Sequence, residues 1–162
     1  AIYLAGAYGT SPCESVWLDD DHLACQDALF GLREIYAAAG LAAEDWRRRP
    51  DDHLVLQLLY IAHALRRSDG AEELRRLAAM MDEHLLRWLP DFAARVAARA
   101  ETPFFAVLGR QTFAWVEQLR DLLAERLGEA RPTREEIEAR IKPQRRVEAA
   151  PLAYMPGAAP SW

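Results

Sequence analysis

The chain is 162 residues long, 51% hydrophobic and 28% charged, with a formal net charge of −5. These values point to one globular domain able to bury a core without staples, and they argue against nucleic acid as the main partner. An acidic surface is instead compatible with a basic peptide. Ala, Leu, Arg and Glu dominate and β-branched residues are few, so an all-α fold is expected. Cys13 and Cys25 match no zinc pattern and suggest no disulfide framework. The longest uncharged apolar run, within residues 54–65, is too short to span a bilayer, so no direct membrane insertion is expected.

Residues 1–8 read as a short apolar piece, and Gly9-Thr10-Ser11-Pro12 as a loop. No signal peptide is in view. The chain opens at Ala1 on what reads as the end of a helix, so upstream residues are expected to be missing. After Trp17 an acidic run, Asp19-Asp20-Asp21, offers a cap for a helix over 22–39 with the stripe Cys25, Leu29, Leu32, Tyr36 and Ala39. Gly40 is its expected stop. A connector carrying Trp46 and Arg47-Arg48-Arg49 leads to a central helix that ends near Arg67. Asp69 and Glu72 have the spacing of a capping box for the next helix, whose core stripe is Leu74, Leu77, Ala78, Met81, Leu85 and Trp88. His84 lies in that stripe and reads as a hydrogen-bonded core histidine. Pro90 is expected to separate a short helix over 91–100. Thr102-Pro103 then opens a long helix to Leu127, with Phe105, Leu108, Trp115, Leu119 and Leu122 as its expected buried face and Gly128 as its stop. Thr133 and Glu136 predict a second capping box and a last helix to about Ile141. The reading is therefore a single helical domain over 1–142 and a Pro/Ala-rich tail over 143–162 that lies on the body through Leu152, Tyr154 and Trp162.

The central helix is the part most suggestive of function. Pro50 fits a first helical turn, and Asp51 and Asp52 can cap its free N–H groups. Apolar residues surround the helix, which predicts burial on most sides. Its polar residues His53, Gln57, Tyr60 and Arg67 fall on one narrow face at about 100° per residue, with His63 flanking it. Such a strip either lines a binding groove or is merely the solvent side of the helix. Chemistry is otherwise hard to find. No Gly-x-Ser-x-Gly elbow, repeated Glu-x-x-His pair or phosphate loop occurs, so no metal and no cofactor is expected. A catalytic reading would start from Asp52 and His53, but no nucleophile has a motif and the helix N-terminus disfavours a protonated histidine.

Pro12-Cys13-Glu14-Ser15-Val16-Trp17-Leu18-Asp19, followed by Gly40 and Pro50-Asp51-Asp52-His53, resembles the TorD/DmsD/NarJ-type redox-enzyme maturation chaperones. His84-Leu85 with Trp88-Leu89-Pro90-Asp91-Phe92, and then Thr102-Pro103-Phe104-Phe105-Ala106-Val107-Leu108, look like the next two recurrent blocks of that family. The resemblance runs to about Leu127. It implies a cytoplasmic, non-enzymatic helical chaperone of the TorD-like type. Such a protein binds the twin-arginine signal peptide on the catalytic subunit of a molybdenum-containing oxidoreductase and holds the precursor back until its cofactor is inserted. It also implies peptide-binding roles for Trp17, Gly40, Pro50, Asp52 and His53. Where the family usually has glutamate before the Pro-x-Asp-His motif this chain has Arg49, and the family's first helices have no counterpart here.

A receptor for two arginines and an apolar segment needs carboxylates beside an apolar groove. Asp19, Asp20, Asp21, Asp51 and Asp52 with Trp17 and Tyr60 supply both, and Gln57 joins them through the polar strip. A monomer and a dimer are both compatible with this reading. Two other readings stay open. One is a general helical protein-interaction scaffold. The other is a nucleotide-dependent enzyme using Asp52 and His53, GTP being sometimes associated with the family.

Overall fold

A computed structural model describes residues 10–18, 27–45, 48–67 and 70–141. In chain order these form α1 (Ser15–Leu18), α2 (Asp27–Ala38), α3 (Leu54–Arg67), α4 (Ala71–Met80), a π-type turn (Met81–Leu85), α5 (Leu86–Arg99), α6 (Pro103–Leu127) and α7 (Arg134–Ile141). Among the described residues the one β-type pairing is an isolated antiparallel bridge between Cys13 and His53. The fold is all-α, as the composition predicts. Chain contacts divide it into a unit over Ala1–Pro132 and a second over Thr133–Trp162 that contains α7. Asp19 to Asp21, Cys25, Trp46, Asp69 and the tail after Pro143 lie outside the described residues.

Several helix ends follow directly from local chemistry. Gly40 and Gly128 both take positive φ, 72° and 68°, where a Cβ would be strained, and they close α2 and α6. Pro103 occupies the first turn of α6 behind Thr102. The predicted capping box of α7 is formed in both directions, Thr133 N–H to Glu136 Oε2 at 2.7 Å and Glu136 N–H to Thr133 Oγ1 at 3.3 Å. The cap of α4 differs from the expectation. Gly70 holds its N-cap position in an extended conformation, with no side-chain cap bond.

The core of the first unit gathers Leu32, Ile61, Leu77, Met81, Leu85 and Trp88, none more than 1% exposed. The stripe from Leu77 to Trp88 is thus buried as expected, but not on one regular helix. The π-type turn interrupts it, and α5 begins at Leu86. Nor does Pro90 break the chain. It lies inside α5, because Trp88, Leu89, Phe92, Ala93 and Val96 are all buried on the same helix, and that packing outweighs a missing hydrogen bond.

The face of α6 is also corrected. Its buried residues are Gly109, Val116, Arg120 and Leu123, while Phe105, Leu108, Trp115 and Leu122 are exposed, as are Phe104 and Val107. Two features mark this face, and neither is visible as an apolar period. Gly109 lies directly against α5, where a Cβ would stand 3.6–3.7 Å from Val96 and Ala93, at ordinary contact distance. Arg120 is buried because it pairs with Asp82 through two parallel bonds of 2.9 and 2.7 Å. The expected near-complete burial of α3 is not found either, for Val55, Leu59 and Leu65 are exposed.

Trp88 and Trp115 therefore make a paired test. Trp88→Ala should cost about 3–5 kcal/mol, the range for truncating a core aromatic, and Trp115→Ala under about 1 kcal/mol. Denaturant unfolding of the two variants measures both, and equal losses would mean that the buried face of α6 has been misassigned.

Candidate functional site

Pro50, Asp51 and Asp52 form a tight turn before α3 rather than its first helical turn, with His53 N–H bonded to Pro50 O at 3.0 Å. His53 is the residue that caps α3. Its carbonyl accepts from Gln57 N–H at 3.2 Å, and its ring Nδ1 accepts from Val55 N–H at 3.1 Å. A nitrogen used as acceptor carries no proton. In keeping with this, burial first and the nearby Arg49 charge second hold the His53 pKa below its ordinary value, against the opposing pull of Asp52.

Released from capping their own helix, the two aspartates serve other elements. Asp52 is fully buried, and its Oδ2 accepts from Ser15 N–H at 3.0 Å and from Ser15 Oγ at 2.6 Å. It thereby caps α1 from 37 positions further along the chain. The backbone reinforces this join, with Glu14 N–H to Asp52 O at 3.1 Å and Leu54 N–H to Pro12 O at 2.8 Å. Asp51 is buried too. It binds Arg33 of α2, while its carbonyl accepts from Tyr36 Oη at 3.1 Å.

Gln57 and Tyr60, in the middle of the polar strip of α3, are buried, while His53 is half-buried and Arg67 exposed, so the strip turns inward at its centre only. Gln57 Nε2 donates to Glu14 Oε2 and to Asp52 O, each at 3.0 Å. Glu14 uses its other oxygen on His84 Nδ1 at 2.8 Å, which makes His84 the hydrogen-bonded core histidine that its place in the stripe suggests. Tyr60 packs on Tyr36 with ring centroids 5.4 Å apart. Trp17 stacks on Trp88, meets Phe92 edge-on, and has the Arg95 guanidinium 4.7 Å from its ring. Gly40 and Pro50 stand at the surface end of these elements, Gly40 exposed and Pro50 half-buried.

Glu14, Arg33 and His84 complete this assembly, and sequence reasoning did not connect them to it. Glu14 lies in the Pro12–Asp19 motif with nothing nearby to mark its role, and Arg33 carries no signal beyond its place four residues after Leu29. Between α2 and α3 two adjoining recesses open, sharing Tyr60 and His63. One, of about 260 Å³, is mainly apolar, with Tyr36, Leu41, Ala42, Ala43, Leu56 and Leu59 in its walls. The other, of about 430 Å³, carries Arg67, Glu73 and Arg76 at its rim. Among the described residues no group of three or more His, Cys, Asp or Glu side chains is placed to hold a metal ion.

Burial pushes the Glu14 carboxyl above its ordinary 4.5, and Asp52 adds to the shift, while His84 and Arg87 oppose it. A carboxyl that keeps its proton longer in the folded state contributes stability below about pH 4.5, and that contribution is lost as pH rises through the folded value. Glu14→Gln can keep both contacts, through its amide oxygen to Gln57 and its amide N–H to His84 Nδ1. The parent's Tm should accordingly fall relative to that of Glu14→Gln as pH rises above about 4.5. Parallel Tm curves from pH 3.5 to 7, taken over about that span, would contradict a buried, proton-retaining Glu14.

Residues 5–94 match the family described as nitrate reductase delta subunit. The chain is also similar to the Chaperone protein TorD of Shewanella amazonensis, with 36% identity over 76% of this chain and 54% of that protein. The Chaperone protein TorD of Shewanella pealeana is 31% identical over 72% and 54%. That of Vibrio cholerae serotype O1 is 29% identical over 73% and 56%. The chain thus spans about half the length of the curated relatives it matches. No solved structure matches it. The matched segment contains the α1 cap, the Pro50–His53 turn and the π-type turn, and the chain belongs to the nitrate reductase delta subunit family, among the TorD-type redox-enzyme maturation chaperones.

Proposed function

We propose that this chain is a cytoplasmic maturation chaperone, not an enzyme. It binds the twin-arginine signal peptide on the catalytic subunit of a molybdenum-containing oxidoreductase and holds the precursor from export until its cofactor is in place. The observation that carries this reading is the apolar recess between α2 and α3, walled by Leu41, Ala42, Ala43, Leu56 and Leu59 beside the turn that holds Asp51 and Asp52. An apolar peptide segment fits such a recess, and the Asp51 carboxylate near its end suits arginine. The relatives are named as chaperones, which supports the chaperone part of this reading.

Within this proposal the eight candidate residues divide by position. Gly40, Pro50 and His53 form the edge that meets the peptide, and the largely buried Tyr60 lines the recess it enters. Asp52, Gln57 and Trp17 act behind it, fixing α1 and the start of α3 against the body. Asp51 stands between the two groups. Arg76 is paired with Glu73 at 3.0 Å, which leaves Arg67 to disfavour a peptide's arginines in the larger recess, so the arginines point toward Asp51 and the apolar segment toward Leu59.

Fluorescence anisotropy with a labelled peptide carrying Arg-Arg and an apolar segment tests the reading. Leu59 is 57% exposed, so Leu59→Gln should leave the Tm unchanged. It should weaken binding roughly tenfold or less, in line with losing part of a leucine's burial. Changing both peptide arginines to alanine should weaken binding further. A peptide that the parent does not bind at all would reject the proposal, and undiminished affinity for Leu59→Gln would move the apolar segment to another surface.

A further inference from the structure

Two aspartate–arginine pairs of the first unit have a buried carboxylate, and they are built differently. Asp82 and Arg120 are 6% and 5% exposed and meet fork to fork, each carboxylate oxygen taking one N–H. Such a pair is sealed. Asp51 is as deeply buried, at 3%, but its partner Arg33 is 42% exposed, and the two bonds between them, 3.1 Å from Nε and 2.8 Å from Nη2, fall on the single oxygen Oδ2. The guanidinium is thus the solvent side of the pair. Phe30, 54% exposed, has its ring centre 5.8 Å from the same guanidinium. A buried carboxylate behind an exposed aromatic ring is the chemistry that recognises an arginine side chain from outside.

We infer that Asp51 and Phe30 form a guanidinium-binding subsite that Arg33 fills in the free protein, and that an arginine of a bound peptide takes Arg33's place. The peptide half of this inference rests on the function proposed above; the subsite itself does not. Exchange of one guanidinium for another leaves the buried carboxylate paired throughout, so it avoids the cost of exposing a lone buried charge. Arg33 also raises the threshold for entry, because a ligand must compete with a group already tethered beside the carboxylate. Lysine, with a compact ammonium and no planar fork, is a poorer replacement.

Removing Arg33 tests this with two probes. In Arg33→Ala, N-acetyl-arginine amide at ten times its Kd should raise the Tm by about 3–6 °C. N-acetyl-lysine amide should do less, and neither should shift the parent. Adding Asp51→Asn to Arg33→Ala should abolish the arginine effect. The labelled twin-arginine peptide should bind Arg33→Ala about tenfold more tightly than the parent, and this gain should vanish when its arginines become alanines. Arg33→Gln provides a second background if Arg33→Ala unfolds. If the variants take no arginine amide, or take both amides equally, the subsite is overturned. If the parent binds the peptide and Arg33→Ala binds it no better, the exchange is overturned and the pair is only structural. If the arginine amide binds Arg33→Ala but the peptide binds neither protein, the subsite is upheld and the signal-peptide function falls.

Discussion

The bond from Asp52 Oδ2 to Ser15 is the constraint around which the first unit is arranged. A helix of four residues such as α1 has no stability of its own, since nucleation fixes several dihedral angles for each bond gained. Its missing N-cap comes from a carboxylate 37 positions away, and the flanking backbone bonds hold Pro12, Glu14 and the start of α3 in one register. Once that join is made, Glu14 points into the body and meets both Gln57 and His84. Three separate stretches of chain are then tied through a single buried carboxyl. Trp17 is carried along on α1 and pressed against α5.

The π-type turn answers this cluster from the other side. Within Met81–Leu85 it presents Asp82 to Arg120 and His84 to Glu14, so the Arg120 ion pair and the Glu14 hydrogen bond both pass through five residues. A regular helix would space these side chains differently, and turns of this kind are often found where side chains must be re-aimed. The fit is close. A Cβ on Gly31 would stand 3.2 Å from the His84 ring, so a side chain there would push the ring aside by a few tenths of an ångström.

How much of this was legible depended on how local the cause was. Capping by Thr133 and Glu136, the stops at Gly40 and Gly128 and the stripe from Leu77 to Trp88 are set by neighbours within a few positions, and all three were readable. The face of α6 was not, because Arg120 is buried for the sake of Asp82, 38 positions away, and period alone favours the larger apolar residues. The same reason explains the start of α3. Aspartates just ahead of an apolar run suggest local caps, whereas Asp52 caps a distant helix and leaves the local task to His53. The Pro50–His53 stretch could be marked as important from sequence. The partners that give it structure, Glu14, Arg33 and His84, come from elsewhere and needed the fold.

The outward stripe of α6 has a practical consequence. Phe104, Leu108, Trp115 and Leu122 lie within about 40° of one another around the helix axis, at 45–66% exposure, with Phe105 and Val107 to either side. Gln111 interrupts the stripe, yet exposed aromatic and aliphatic side chains of this kind offer dyes such as anilinonaphthalene sulfonate a foothold without any loosening of the core. Dye fluorescence, widely taken as a sign of a molten state, is therefore expected from the folded chain itself. Near-ultraviolet circular dichroism, which follows the packed ring of Trp88, is the sounder gauge of whether the chain is native.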